Sequence, residues 1–516
     1  MAIPITKPTV GSDDNTWGGI LNTALDQLAT AATDTDPRLG PGVLTVAAWE
    51  ASKGTGYSVA HRGSGDLIPE NTAEAFDYAY RNGARIAEVS VCQTADGVLI
   101  VQHDVTFDRT TKLTGNVVDS PSTVLGYARV NNAIIAKSQG PAWDGTLIAT
   151  GYPPLKIPLF EDILKKYGGK MILLCEAKYD AAYPAMVAMI AQYNLQNSVM
   201  IKAFWTSSRI AQAKAAGYKV YSYFGSDSDN TPTNLATVVA AGVDYLAIAG
   251  YTATNTVIAQ SQVTQAVAAS PGMKIWAYPI HRRVDRDFFY VNGAEGIIAS
   301  NFGYLTRNVA ITRKDSWQGF ALAPGELTQD PLNNSWALTW VGDPGGGAVV
   351  QEKQNSNPLA GSKRFFCVGQ CSPLAAAAST YTVDVDFQWV TVPTDTTQNI
   401  TLAFGHSDDT YYEHQGGHGT GYHAIVRPNR NVQLFTHVDG TTTGTQIGTT
   451  GVLMTSNAVA ATWYHMKVTV TPTTVTFTVN DGVDHVVVAT DNTRRGGYFH
   501  LGVTAGEAAW RNLVIT

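Results

Sequence analysis

Charge and cysteine are scarce in this chain, and no long apolar run occurs in it. Charged residues make up only 15%, and the formal net charge is −7. Capture of nucleic acid needs a basic footprint, so nucleic acid is not an expected partner. Four cysteines among 516 residues cannot form a disulfide framework. Cys92 and Cys175 sit in apolar stretches, where a small buried thiol is the ordinary finding. Cys367 and Cys371 are close enough to pair, yet no second Cys or His pair with zinc-finger spacing accompanies them, and all four are read as free thiols. No segment approaches the ~18 apolar residues of a membrane span. The start, MAIPITKPTVGSDD, lacks a basic region followed by an apolar core, so no secretory signal is expected there. Glycine, by contrast, is abundant at 48 residues, which favours strands and turns over long charged helices. The length exceeds one ordinary core and points to several domains.

Chemistry-bearing side chains are concentrated between Tyr57 and Thr111. Tyr57-Ser58-Val59-Ala60 reads as a short apolar strand that delivers His61-Arg62-Gly63 at its carboxyl end. Pro69-Glu70-Asn71-Thr72 marks a helix start, and Ala73, Phe76, Ala79 and Tyr80 recur at helical spacing until Gly83. The next strand, Ile86 to Val91, alternates Glu88 and Ser90 with Val89 and Val91. Asp96-Gly97 is a hairpin signal, after which Val98 to Val101 leads back to His103. A two-residue turn would set Ser90 opposite His103, with Glu88 as its diagonal neighbour; a longer turn would shift that register. Two imidazoles beside an arginine suit in-line displacement at a phosphate diester. One accepts the nucleophile's proton, the other protonates the leaving alkoxide, and the guanidinium forks the phosphate oxygens.

Downstream, Val105 to Pro158 has few periodic runs and reads as an excursion that shapes a cleft. Strands are then expected at Met171 to Cys175, Val199 to Phe204, Lys219 to Phe224, Val243 to Ala249, Ile275 to Tyr278 and Gly296 to Ala299. With the two earlier ones they make eight strands alternating with helices, the pattern of a TIM barrel. Glu176 and Lys178 lie two apart at a strand end and face one side, and His281-Arg282-Arg283 follows another strand. After Val309 the period changes: Tyr381, Val383, Val385, Phe387 and Trp389 alternate with polar residues, as do Met466, Val468 and Val470. This reads as an antiparallel β-sandwich. His406, His414, His418 and His423, with Tyr411, Tyr412 and Tyr422, read as a Gly-rich loop region, with a sugar-binding aromatic surface as the sharper possibility.

HRG, PENT, the Glu-bearing strand, DGV and HDVTFDRTT together resemble the glycerophosphodiester phosphodiesterase family, whose fold is a phospholipase-C-like TIM barrel. The similarity continues at IPLFEDIL from Ile157, at LCEAK from Leu174 and more faintly at KIW from Lys274, covering roughly Val46 to Ala310. It implies that His61 and His103 are the acid/base pair, that Arg62 and Lys178 hold phosphate, and that Glu70 lines the site. It also implies that Glu88 and Glu176 ligate a divalent Ca or Mg ion, with Ser90 at a third ligand position where the family has a carboxylate. A hard cation prefers anionic oxygens, so a hydroxyl weakens such a site. A second departure is Ala299-Ser300-Asn301, where the family usually has Thr-Asp and then Pro.

Near the amino terminus, Trp17, Ile20, Leu21, Ala24, Leu25 and Leu28 repeat at helical spacing after Asp14-Asn15-Thr16. PTVGSDDNTWGGILNTALDQL resembles the amino-terminal segments of phage tail and receptor-binding proteins, and the ending GGYFHLGVTAGEAAWRNLVIT resembles the closing strand of concanavalin- or laminin-G-like carbohydrate-binding sandwiches. The expected plan is an oligomerising or attachment helix and linker at 1–45, a TIM barrel at 46–312 with an insertion at about 105–158, and a β-sandwich at 313–516. The expected function is a phage tail-associated phosphodiesterase that cleaves glycerol-phosphate polymer such as wall teichoic acid. It would be a homotrimer on the virion tail, with the bacterial cell wall and other tail proteins as partners. The alternative is a non-catalytic receptor-binding protein that holds teichoic acid on a degenerate barrel.

Overall fold

The computed structural model describes residues 43–64, 70–111, 113–126, 156–252, 256–269, 271–306, 328–329, 336–342, 348–354, 364–370, 380–410, 419–504 and 507–516. The helix expected at Trp17 to Leu28, its linker, Cys371, Tyr411, Tyr412, His414, His418 and much of the 105–158 excursion lie outside the described residues.

Among the described residues, nine strands build the first unit: β1 Tyr57–Ala60, β2 Ile86–Gln93, β3 Leu99–Val101, β4 Ile172–Ala177, β5 Val199–Phe204, β6 Val220–Tyr223, β7 Tyr245–Ala249, β8 Lys274–Ile280 and β9 Gly296–Ala299. Their order is β1-β9-β8-β7-β6-β5-β4-β2, and β2 pairs back to β1 through Ala87 and Ala60, so eight parallel strands close into a barrel. β3 is the antiparallel hairpin return outside β2, as expected, but the register differs by one. Val91 pairs with Val101 and Gln93 with Leu99, because the turn has three residues, Ala95-Asp96-Gly97, with Gly97 at φ 85. Gln102 N–H therefore donates to Ser90 O, and His103 lies one residue beyond the position opposite Ser90.

The two-residue period of the strands divides the barrel cleanly. Val59, Ile86, Leu174, Met200, Tyr221, Tyr245, Trp276 and Ile298 point inward and pack together. The alternate residues, among them Ala60, Val89, Cys175 and Ile201, pack against the surrounding helices. Cys92 and Cys175 are buried free thiols. The helix Val46–Ser52, capped by Thr45 Oγ1, closes the amino-terminal end: Trp49 stands edge-on to Tyr57 at 5.1 Å, and Tyr245 Oη donates to Glu50 Oε1 at 2.6 Å. The open end is the one at the strands' carboxyl termini, where active sites of such barrels sit.

Among the described residues, the carboxyl-terminal unit is two antiparallel sheets of seven strands each. One runs Trp336–Gly342, Ala348–Gln354, Glu507–Ile515, Tyr381–Thr391, Trp463–Val470, Thr474–Asn480 and Asp484–Thr490. The other runs Thr328–Gln329, Arg364–Gln370, Tyr498–Val503, Ile400–His406, Gly421–Val426, Val432–His437 and Thr445–Ile447. The inward residues of Tyr381–Thr391 are those the alternation selects, Tyr381 to Trp389 in steps of two. The loop expected around His406 and His423 is corrected: both lie on strands, and Tyr422 is core, so it offers no exposed ring.

The sandwich docks beside the barrel's open end. The helix Arg283–Val291 follows β8, and the buried Asp409 carboxylate of the sandwich accepts from Arg283 N at 2.6 Å, Val284 N at 2.9 Å and Tyr304 Oη at 2.8 Å. Negative charge at a helix amino terminus is favourable. His281, Arg282 and Arg283 are all buried there.

Candidate active site

β1 ends in a tight reversal. Arg62, Gly63 and Ser64 have φ of 51°, 81° and 98°, three successive left-handed residues, of which only the glycine adopts that conformation freely. The turn is held by Asn71 N donating to Arg62 O at 2.9 Å and by Phe302 N donating to Ser64 Oγ at 2.9 Å. Strain of this kind clusters at functional sites. Here it sets His61 against two partners, with Nδ1 3.3 Å from Ser300 Oγ and Nε2 3.5 Å from Glu88 Oε2. Burial pushes the His61 imidazole well below its ordinary pKa, and the cations of Arg62 and Lys202 push the same way.

Arg62 begins a chain of alternating charges. Its Nη1 donates to Glu70 Oε1 at 2.9 Å and Oε2 at 3.1 Å. On the other side of Glu70, Arg109 donates through Nη2 at 2.7 Å and Nη1 at 3.2 Å. Arg109 also forks Asp104, through Nε at 2.5 Å and Nη2 at 3.0 Å. Asp104 Oδ1 in turn lies 2.7 Å from His103 Nδ1. Burial alone would raise the Glu70 carboxyl, but the two guanidiniums outweigh it and hold it below its ordinary value. Glu70 was expected to line the site; the structure commits both its oxygens to Arg62 and Arg109.

With Nδ1–H donated to Asp104, His103 keeps the Nε2 lone pair, which faces Lys178 Nζ at 3.3 Å. Burial, seconded by Arg62, brings the His103 pKa down to about 3 against the Asp104 bond that would raise it. Both imidazoles are therefore neutral in the resting site, and Lys178, itself lowered by burial, supplies the nearest proton.

Glu88 and Glu176 come from neighbouring strands, with Ser90 paired in register to Glu176. Between the two carboxylates stands the buried ammonium of Lys202, 3.1 Å from Glu88 Oε1 and 3.3 Å from Glu176 Oε2. Tyr221 Oη donates to Glu88 Oε1 at 3.1 Å, Tyr223 Oη to Glu176 Oε1 at 2.7 Å, and Lys178 Nζ lies 3.2 Å from Glu176 Oε2. Both Oε1 atoms are thus hydrogen-bonded by tyrosines, whereas Glu88 Oε2 and Glu176 Oε2 are buried without a hydrogen bond among the described residues and face only the ring of His61 and the ammoniums of Lys178 and Lys202. A hard divalent cation requires several oxygens converging on one point, and among the described residues no three His, Cys, Asp or Glu side chains do so. Glu88, Ser90 and Glu176, expected as the ligand set, do not fit that ion while Lys202 lies between them.

Lys202, Arg109, Asp104, Tyr221, Tyr223 and Ser300 had no role in the sequence expectations. Four carried a signal: Lys202 is the charged residue of the apolar run VMIKAF in inward phase with Met200, Asp104 and Arg109 lie within the HDVTFDRTT block, and Ser300 lies in the departure Ala299-Ser300-Asn301. A cavity of about 940 Å³ opens at the other end of the barrel, lined by Trp49, Tyr57 and Ile86, and holds none of these groups. The site is assigned by chemistry, not by volume.

Residues 61–284 match the glycerophosphoryl diester phosphodiesterase family. A glycerophosphodiester phosphodiesterase of Bacillus subtilis (strain 168) is 32% identical over 133 residues, 25% of this chain and 42% of the relative. One from Caldanaerobacter subterraneus subsp. tengcongensis is 32% identical over 146 residues, 28% of this chain and 57% of the relative. The chain spans about half the length of the curated relatives it matches. Among solved structures, a glycerophosphodiester phosphodiesterase from Agrobacterium tumefaciens str. C58 aligns over 47% of this chain and 96% of its own, at 22% identity and a TM-score of 0.37.

Proposed function

We propose that the barrel, which carries a domain of the glycerophosphoryl diester phosphodiesterase family at residues 61–284, hydrolyses glycerophosphodiester bonds at its open end. The observation that carries this is the convergence there of two neutral imidazoles with Arg62 and Lys178. A binding surface needs no acid/base pair.

In the proposed reaction the diester anion is held between Arg62 and Lys178. Its negative charge opposes the burial and the cations that depress His103, so the pair can carry one proton. The attacking oxygen, from water or a neighbouring glycerol hydroxyl, bonds to phosphorus and gives its proton to the neutral imidazole. The phosphorus–oxygen bond to the leaving glycerol breaks, and that oxygen takes the proton of the other imidazole. Glu88 orients His61, Asp104 fixes the tautomer of His103, and Glu70 acts through Arg62.

The proposed substrate is polymeric, a glycerol-phosphate chain such as wall teichoic acid, and the proposed setting is a trimeric phage tail protein meeting the bacterial cell wall. Support comes from the resemblance of the amino-terminal segment and from a second unit docked at the helix Arg283–Val291, beside the open end. The test compares hydrolysis of glycerophosphocholine and of polyglycerol-phosphate teichoic acid by the full chain and by His61→Ala and His103→Ala. Loss of an acid/base group is expected to lower kcat by on the order of 10²–10⁴-fold. Unchanged rates in both variants would sink the mechanism, and wall binding without turnover would favour the receptor-binding alternative.

A further inference from the structure

We propose that the Lys202 ammonium serves as the built-in cation of this site, so that the chain needs no divalent metal. The inference concerns the site of the proposed phosphodiesterase, and its catalytic half rests on that reading. An ammonium taken out of water costs several kcal/mol unless it is paired. Lys202 is paired on two sides at once, by Glu88 and Glu176. The rings of Tyr223 and Tyr221 lie 4.8 and 5.7 Å from its Nζ. It occupies the inward phase of β5 directly above Met200, so the barrel's alternation delivers it to this point as surely as it delivers Glu88 above Ile86 and Glu176 above Leu174.

The surroundings are tuned to one positive charge rather than two. The position flanking Glu176 on β2 is a serine hydroxyl, which adds no anion, and each glutamate keeps one oxygen on a tyrosine. A metal ion bridging the two carboxylates here would have to displace Lys202. The ammonium also does positionally what a bridging ion would do: it reaches from β5 to Glu176 on β4 and past it to Glu88 on β2, leaving Glu88 Oε2 turned to His61 and sharing Glu176 Oε2 with Lys178. Lys202 is in this sense a positioning residue.

The test begins with the full chain freed of metal by chelator and titrated calorimetrically with Ca²⁺, Mg²⁺ and Mn²⁺. No saturable site tighter than on the order of 10⁻³ M is expected. A stoichiometric micromolar site abolished by Glu88→Gln would overturn the proposal. In the activity arm, kcat/KM with chelator should stay within about twofold of its value without, well short of the 10- to 100-fold that damage to a metal centre costs. Activity lost to chelator and restored by Ca²⁺ or Mg²⁺ would also overturn it. Absence of turnover under every condition would refute the phosphodiesterase reading and leave the calorimetry to decide the ammonium. A readout that a merely structural lysine would not give is the exchange Lys202→Ser with Ser90→Asp, which should gain a Ca²⁺ site at least about tenfold tighter than wild type. A folded double variant that gains none would show that Lys202 does not hold the cation's place, and the wild-type titration decides the matter if that variant fails to fold.

Discussion

Arg109 is the residue whose removal best separates this arrangement from a loose collection of charges. Arg109→Ala deletes two of the four hydrogen bonds on Glu70 and both on the Asp104 side, leaving a buried carboxylate with Arg62 alone. Removing one partner of a buried ion pair costs about 3–5 kcal/mol. Arg109 and Asp104 are 17% and 24% exposed, so the lower half of that range applies here. For a unit of this size each kcal/mol shifts Tm by about 2–4 °C, which sets the expected drop at roughly 6–16 °C by calorimetry. The catalytic effect should be separable: Asp104 loses its fork, His103 loses a fixed tautomer, and kcat/KM falls by about 10- to 100-fold, as when an orienting partner is removed. Arg109→Lys keeps the charge without the planar fork and should fall between. If Arg109→Ala holds kcat/KM within about twofold of wild type on glycerophosphocholine, where 10- to 100-fold is required, the relay from Glu70 to His103 is not functional.

Three further outcomes follow from local geometry. At Gly63 a methyl group would meet Ala75 at 2.8 Å and Phe76 N at 2.9 Å at a φ of 81°, so Gly63→Ala should lower Tm and displace His61 enough to cost about 10²-fold in kcat/KM, whereas a silent substitution would refute the close approach. Acid should destabilise the fold before the carboxylates titrate. His103 and His406 at about 3, His437 at about 4, and His61 and His500 well below their ordinary value all refuse protons that the unfolded chain accepts near 6.5. Their stabilisation is complete above that pH and is lost as pH falls, by about 1.4 kcal/mol per proton per pH unit, so Tm at pH 5 should lie below Tm at pH 7.5. An unchanged or higher Tm at pH 5 would contradict the burial of these rings. Asp409→Ala strips the amino terminus of helix Arg283–Val291 of its acceptor at about 1–3 kcal/mol per orphaned donor, and should split one thermal transition into two as barrel and sandwich uncouple; a single transition would place the docking energy elsewhere.

What could be read from the sequence was whatever local pattern decides. Tyr57–Ala60, Val199–Phe204 and Gly296–Ala299 occupy the residues expected of them, because short apolar runs between turn signals leave no other register. Tyr381–Thr391 shows its inward face in its alternation. Ile400–His406 and Gly421–Val426 were illegible for the opposite reason: every residue in them is buried, so no alternation survives, and polar residues such as Thr401 and His423 occur where a free sheet face would meet water. The hairpin register slipped by one because Asp96-Gly97 is equally the end of a three-residue loop.

The site divides along the same line. His61, Arg62, Glu88 and His103 lie within one local block, as do Glu70, Asp104 and Arg109, while the partners of the two glutamates come from β5 and β6, where only the curvature of the barrel brings Lys202 and Tyr221 to Glu88 and Lys202 and Tyr223 to Glu176. A family pattern read along the chain can register a missing carboxylate at Ser90 but cannot register what replaces it, because the replacement is 112 positions away and on another strand. The serine on β2 and the ammonium on β5 meet at the same carboxylate, Glu176. A buried lysine in an otherwise apolar strand is costly unless its counter-charges are already fixed, and a pair of buried glutamates is costly unless a cation lies between them. Each is a reason for the other, and together they make the charge of this pocket a property of the fold itself.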